Sequence, residues 1–270
     1  MPRAAVLLKE NPLYRRDAFL AGMKACGYQT QHWTLDRIEP DDVLVCWNRY
    51  VQAGVEAARF ERAGARVIVA ENGYLGYDRR GRQLYQMALD YHNGAGRWFV
   101  GQDDRFSDLG VKVKPWRANG RKILVMPQRI VGSDGVAMPK KPEAWFADVR
   151  AELRQYTDRP IEVRYHPGNV TPKPLPDWTD IHAVVIWGSS GGLKAICAGV
   201  PVVHQMPGWI GASAARFGLE HIEDPFLGDR MPMLHSVAWS QWSVEEIATG
   251  EPFARLLALG AEANAGAAAA

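Results

Sequence analysis

The sequence predicts an α/β protein built from two Rossmann-like halves in tandem. Short apolar runs of strand length recur at 5–8, 42–47, 66–70, 121–126, 161–165, 183–187 and 200–204. Segments with helical spacing separate most of them. Strands that are apolar throughout, alternating with helices, belong to a parallel sheet covered on both faces. The pattern breaks once, at the polar KPWRANG stretch of 114–120, and then restarts.

In the first half, the AVLL run at 5–8 is a strand, and Leu13, Phe19, Leu20 and Met23 repeat at near-helical spacing up to Gly27. A weaker strand at 28–33 precedes the strand at 42–47. A helix over 51–64 ends at Gly64, a residue suited to a left-handed C-cap. The strand at 66–70 follows it. In the second half, RKILVM at 121–126 is a buried strand. A helix over 143–156 is amphipathic through Trp145, Phe146, Val149 and Leu153. A strand at 161–165 leads into a loop at 171–176, held extended by three alternating prolines. A strand at 183–187, a helix at 191–198 and a strand at 200–204 complete the pattern. The expected domains are 1–118 and 119–260, and the Ala/Gly-rich 261–270 is expected to be a disordered tail.

Apolar residues make up 47% and charged residues 23% of the 270, which excludes collagen, wholesale disorder and a disulfide scaffold. The opening apolar run meets Lys9 and Glu10 too soon for a secretory signal. The longest uncharged stretch, 195–215, is broken by Pro201, Gln205 and Pro207, so no membrane span is expected. Cys26, Cys46 and Cys197 stand far apart in apolar runs, as expected of free thiols in a reducing cytoplasm. The net charge of +2 is unevenly spread: residues 1–122 carry 20 Lys/Arg against 14 Asp/Glu, and residues 123–270 carry 12 against 16. A basic front and a mildly acidic back suggest two bodies with different partners.

The strongest chemical signal is VVIWGSSGGLKAICAGVPVV at 184–203. A buried strand ends in a turn of small residues, and a helix opens at Ser190-Gly191. Small residues let a ligand approach the backbone. The free N–H groups and partial positive charge of the helix start suit phosphate. Ser189 and Ser190 add hydroxyls; the competing reading is a tight turn with no ligand. Gln128 and Arg129 follow the first strand of this half, and Arg164, His166 and Pro167 follow the next. All lie at carboxyl ends of parallel strands, where open α/β sheets bind ligands. The arginines there chelate phosphate or close structural ion pairs. Trp47, Trp187 and Trp209 fall at or near strand ends, where a ring stacks on a base or sugar or packs inward.

Residues 121–245 resemble the donor-binding domain of a GT-B glycosyltransferase. The strand–GSSGG–helix–AGVPV run is similar to the Ser-rich turn and Gly-x-Pro-Val element of those enzymes, including bacterial capsule and Kdo transferases. Arg164-Tyr165-His166-Pro167 resembles their [RK]-x-HP element. The run also looks like phage-encoded glycosyltransferase-like proteins, some of which sugar-modify hypermodified DNA bases. The first half matches only in its strand pattern. The resemblance implies two Rossmann-like domains facing a cleft, with a nucleotide-sugar donor, UDP-linked by preference, on Gln128, Arg129, Arg164, His166, Trp187, Ser189, Ser190, Gly191 and Lys194. The family usually has a Glu where this chain has Lys194, a cation that would meet phosphate or carboxylate.

Such an enzyme with inversion at the sugar carbon needs a general base from the first half. Glu71, at a glycine-flanked strand end, is the first candidate, Asp78 the second and His92 the third. Asn48, Arg49, Asn72 and Asn93 are the expected acceptor contacts. No metal or cofactor is expected. Asp41-Asp42 and Asp103-Asp104 are adjacent pairs rather than DxD, and GxGxxG, Walker A and GxSxG patterns do not occur. The leading acceptor is a hydroxymethylated pyrimidine in double-stranded phage DNA, acted on in the host cytoplasm. Arg79, Arg80, Arg82, Arg97, Lys112 and Lys114 would contact its phosphates. The alternatives are a cell-envelope polysaccharide acceptor, or a non-catalytic nucleotide-binding protein of the same fold.

Overall fold

The computed structural model describes the chain except for residues 12–14, 102–104, 118, 130–135, 167–175 and 269–270, with side chains described as far as 259. The expectations at Leu13, Asp103-Asp104, Pro167 and 171–175 therefore lie outside the described residues. In chain order the strands are β1 (Arg3–Leu7), β2 (Gln29–His32), β3 (Val43–Trp47), β4 (Arg66–Tyr77), β5 (Gln83–Leu89), β6 (Lys122–Met126), β7 (Ile161–Val163), β8 (Ile181–Ile186), β9 (Val202–His204), β10 (Arg216–Phe217) and β11 (Gln241–Ser243). The helices are α1 (Arg16–Ala25), α2 (Gln52–Arg62), α3 (Arg105–Leu109), α4 (Pro142–Leu153), α5 (Ser190–Cys197), α6 (Met231–Ala238), α7 (Val244–Thr249) and α8 (Glu251–Ala268). They form two compact units, Met1–Gly110 with His235–Ala270, and Val111–Leu234.

The first unit holds one sheet in the order β11-β5-β4-β3-β1-β2. Strands β1 to β4 run parallel, with Ala5 opposite Leu44 and Leu44 opposite Val67. β1, β3 and the first half of β4 are buried on both faces, which is why they read as unbroken apolar runs, whereas the edge strand β2 (QTQH) is largely exposed. Val6, Val45, Ile68 and Tyr85 point to one side, against Phe19, Met23, Trp239, Trp242 and Phe253. Ala5, Leu44, Val67 and Val69 point to the other, against Ala57 and Phe60.

Three expectations need correction. The first half is not a purely parallel sheet. β4 continues past Ala70 to Tyr77 and pairs antiparallel with β5, and β5 pairs antiparallel with β11. The second domain, expected over 119–260, is the compact unit 111–234 instead. Trp239, Trp242, Ile247, Phe253 and Leu256 bury themselves in the first unit's core, and β11 extends its sheet. The tail expected to be disordered from Ala261 continues α8 to Ala268, in keeping with alanine's high helix propensity.

The second unit is a five-stranded, wholly parallel sheet in the order β10-β9-β8-β6-β7. Ile123, Val125, Ala183, Val185 and Val203 pack with Trp145, Val149 and Leu153 of α4. From β6 the sheet grows through β7 on one side and through β8 on the other. The order therefore reverses between β6 and β8. The crevice outside such a reversal is where open α/β sheets hold ligands. The three cysteines are free, and burial pushes the Cys46 thiol up to about 12 and Cys197 to about 11. Among the described residues no helix is long and apolar enough to cross a membrane.

Candidate functional site

In the second unit, Gln128 and the turn from Trp187 to Ser189 meet at the reversal between β6 and β8, whereas Arg164 and His166 follow β7 on the other side of β6. Gln128, just beyond β6, accepts through Oε1 from the Gly188 N–H at 3.2 Å. Its Nε2 and the Trp187 indole N–H both donate to the Val136 carbonyl, at 3.4 and 3.2 Å. Gln128 and Trp187 thus brace the turn that follows β8. Ser189 is the N-cap of α5, its Oγ accepting from the Gly191 N–H at 3.1 Å, and its carbonyl accepts from the Gly192 N–H at 3.0 Å. Two amides of the first helical turn therefore already have partners within the chain. The Ser189 hydroxyl retains its proton to donate, beside Ser190.

The small residues also serve packing. A Cβ on Gly188 would lie 2.5 Å from the Met206 sulfur, and one on Gly192 would lie 2.6 Å from Ile186 and 2.7 Å from Trp209. Gly191 has Met126 Cε at 3.0 Å from the same hypothetical atom. Arg129 is exposed three residues beyond β6, and His166 is exposed three beyond β7. Arg164 follows β7 directly; its N–H donates to the Val125 carbonyl at 2.9 Å, and burial pushes its guanidinium pKa down. Lys194 lies four residues past Ser190, on the same stripe of α5.

In the first unit the structure brings together Asn48, Glu71, Asn72, His92 and Asn93. Glu71 lies within β4 rather than in a loop, because β5 carries the ladder past it. Its Oε2 accepts from Asn48 Nδ2 at 3.0 Å, and its Oε1 accepts from Asn72 N–H and Nδ2 at 2.8 and 2.9 Å. Three donors thus fix a half-buried carboxylate. His92 is buried, and its Nδ1 has no partner. Burial lowers its pKa; nearby Glu71 pulls it up and Arg49 pushes it down. The Asn93 N–H donates to the Tyr74 hydroxyl at 2.9 Å. Burial first, and Glu71 second, hold the Tyr74 phenol well above its ordinary value.

Backbone strain concentrates around this group. Asn48, Arg49, Val51, Asp90 and Asn93 have φ between 41° and 68°, five of the eight non-glycine residues with positive φ among those described. For a β-branched residue such as Val51 this is a pronounced outlier. Each such residue costs about 1–3 kcal/mol, and such strain clusters at functional sites.

Two candidates turn out to be structural. Arg49, expected to contact acceptor, is 6% exposed. It pairs with Glu61 at 2.6 and 3.0 Å, donates to the Asp90 carbonyl at 2.5 Å and lies 4.1 Å over the Tyr91 ring. It ties the segment before His92 to α2. Asp78, expected as an alternative base, closes the β4–β5 turn. It accepts from the Arg80 and Arg82 N–H groups at 2.9 Å each, and its Oδ2 pairs with Arg82 Nη2 at 2.6 Å. Burial alone would raise its carboxyl, but Arg82 and these backbone donors outweigh it and hold the pKa below the usual range.

Sequence reasoning missed Tyr74 and Gln241. Gln241 Oε1 accepts from the Tyr74 and Leu75 N–H groups at 2.7 and 3.3 Å, fixing β4 where its register with β5 shifts. A Gln in the run SQWS, between two buried tryptophans, was the available signal. Among the described residues no three or more His, Cys, Asp or Glu side chains gather as a metal site would require.

Two buried histidines and the half-buried His182 predict a pH dependence. Burial lowers the pKa of His92, His182 and His204 in the fold. The unfolded chain binds their protons at the ordinary value of about 6.5, so it holds more protons than the fold just below that pH. Stability is therefore expected to fall on acidification from about pH 6.5 to 5. Urea midpoints measured across that window would check it; a flat profile would contradict it.

No protein-family model matches the chain, and no curated protein matches it. Among solved structures it is similar to the KpsC beta Kdo 2,7 transferase of Thermosulfurimonas dismutans. The TM-score is 0.53 at 12% identity, covering 93% of this chain and 98% of that one. It is also similar to the KpsC beta Kdo 2,4 transferase of the same organism, with a TM-score of 0.51 at 12% identity, covering 89% and 90%. At such identity the likeness is one of fold. The chain has the GT-B-like α/β architecture, with two Rossmann-like parts, that its sequence led us to expect.

Proposed function

We propose that this protein is a glycosyltransferase that moves a sugar from a nucleotide-sugar donor to a hydroxyl of a saccharide acceptor. The observation that carries the proposal is the Glu71 carboxylate, held by Asn48 and Asn72 beside buried His92 amid strained backbone. Glu71 takes the proton of the acceptor hydroxyl as that oxygen bonds to the anomeric carbon, and the nucleotide departs with the electron pair of the broken bond. In the second unit, Ser189, Ser190, Arg129 and Arg164 hold the nucleotide's phosphate. Lys194 suits a further anionic group, which favours an acidic sugar. The reaction as written calls for no metal.

The saccharide acceptor is better supported than the hydroxymethylated DNA base. The two similar structures named above are Kdo transferases, and neither name bears on DNA. Two of the arginines expected to meet DNA phosphates are already paired, Arg82 with Asp78 at 2.6 Å and Arg97 with Asp90 at 2.8 Å. Calorimetry with UDP- and CMP-linked sugars, followed by mass analysis of an oligosaccharide and a hydroxymethylated duplex, tests the proposal. A sugar-sized mass gain on the oligosaccharide alone is expected. Gain on the duplex would restore the DNA reading, and no binding of any nucleotide sugar would leave a non-catalytic protein.

A further inference from the structure

Gln86 is the most unusual buried polar residue of the chain. It lies in the middle of β5 with no exposed surface, and neither its Nε2 nor its Oε1 has a hydrogen-bond partner. A buried amide left unpaired costs about 1–3 kcal/mol, which an apolar side chain of similar size avoids. Its place in the sheet suggests why an amide stands there. Gln86 is the register partner of Glu71 on β4 and of Gln241 on β11. Directly opposed residues of antiparallel strands share a face, with Cβ atoms about 4.5–5.5 Å apart. Glu71, Gln86 and Gln241 thus form a polar row across three strands, within a sheet that is otherwise apolar there. Gln241 is consumed by the Tyr74 and Leu75 amides and by Ser240. Gln86 alone in the row is unused. Two further unpartnered atoms, His92 Nδ1 and Arg49 Nε, belong to residues of the same neighbourhood.

We infer that Gln86 is a positioning residue for Glu71 and serves both of its protonation states. This rests on Glu71 being the base. In the structure Asn48 and Asn72 hold the Glu71 carboxylate, away from Gln86. When Glu71 turns inward across the strand pair, Gln86 Nε2 donates to the carboxylate. Once Glu71 has taken a proton, Gln86 Oε1 accepts its O–H. A neutral carboxamide offers both a donor and an acceptor, which neither Lys nor Arg does, and it tolerates burial where a charge does not. Among the described residues, the other titratable or charged groups of this neighbourhood are His92 after β5, Arg49 after β3 with its partner Glu61 and the Tyr91 ring, and Tyr74 on β4.

The test follows the Gln86 side-chain amide by 1H–15N NMR in the full chain from acid to neutral pH, alongside the Glu71 carboxyl 13C signal. The amide signal is assigned by its loss in Gln86→Met. We expect the two signals to move in one common step. That step should vanish from the amide in Glu71→Gln and persist in His92→Gln. An amide signal that stays still while Glu71 titrates, or a step that survives Glu71→Gln, overturns the assignment. In turnover, Gln86→Met is expected to lower kcat about tenfold, within the usual range of proton-transfer effects, with KM little changed. Its thermal midpoint should hold or rise, because an unpaired amide is gone. A lower midpoint with unchanged kcat would make Gln86 a packing residue only. The NMR arm needs no turnover, so a failure of the transferase proposal is separable from a failure of this one.

Discussion

Glu71→Gln is expected to lower sugar transfer by about 100- to 10,000-fold, the range that general-base catalysis contributes. The substitution keeps the length and shape of the side chain but removes the group that takes the proton. It also replaces an acceptor oxygen by an NH2 facing donors. In the native chain both carboxylate oxygens accept, from Asn48 on one side and Asn72 on the other. One of those contacts becomes donor against donor in the variant, so the side chain also loses its orientation. The residues proposed to hold the donor belong to the other compact unit. Affinity for nucleotide sugar, measured by calorimetry, should therefore stay unchanged while turnover disappears. Full turnover in Glu71→Gln would remove Glu71 as the base and direct attention to His92.

Phe253→Ala should destabilise the first unit by about 3–5 kcal/mol, the usual cost of deleting a fully buried aromatic ring. Phe253 has no exposed surface and meets Phe19 of α1 edge-on at 6.1 Å between ring centres. The approach is close enough that a Cβ on Gly22 would lie 2.6 Å from the Phe253 ring. Neither helix has slack to close the cavity, so the cavity cost adds to the lost burial. Urea denaturation followed by far-ultraviolet circular dichroism reads the loss. A change below about 1 kcal/mol would mean that the C-terminal helices do not complete this core.

The parallel strands were legible because burial on both faces leaves an apolar run that needs no partner to be noticed. Ala4–Val6, Val43–Cys46 and Val184–Ile186 are of this kind. β5 was not legible, because Gln83 and Gln86 interrupt its apolar pattern and its pairing is set by β4 and β11. The return of residues 235–259 to the first core left no local trace. Trp242 meets Tyr85 across 157 positions of sequence, and no short window contains both. At the candidate site, strand-end logic pointed to Asn48, Glu71 and Gln128, which the structure places in hydrogen-bonded clusters. It did not separate them from Arg49 and Asp78, whose structural roles depend on Glu61, Asp90 and Arg82. Which charged side chain stays available and which is consumed is a tertiary fact. Gln86 shows the reverse case, since its oddity is its lack of any partner.

The first core is discontinuous in sequence, closed by Trp239, Trp242, Ile247, Phe253 and Leu256 from beyond the intervening unit. During synthesis the opening sheet therefore waits, with part of its apolar surface unshielded, until those residues leave the ribosome. The middle unit draws its strands from 122 to 217 and is able to close first. A nascent chain stalled when residue 234 has just left the ribosome should accordingly bind chaperones through its N-terminal portion while its middle portion already resists protease.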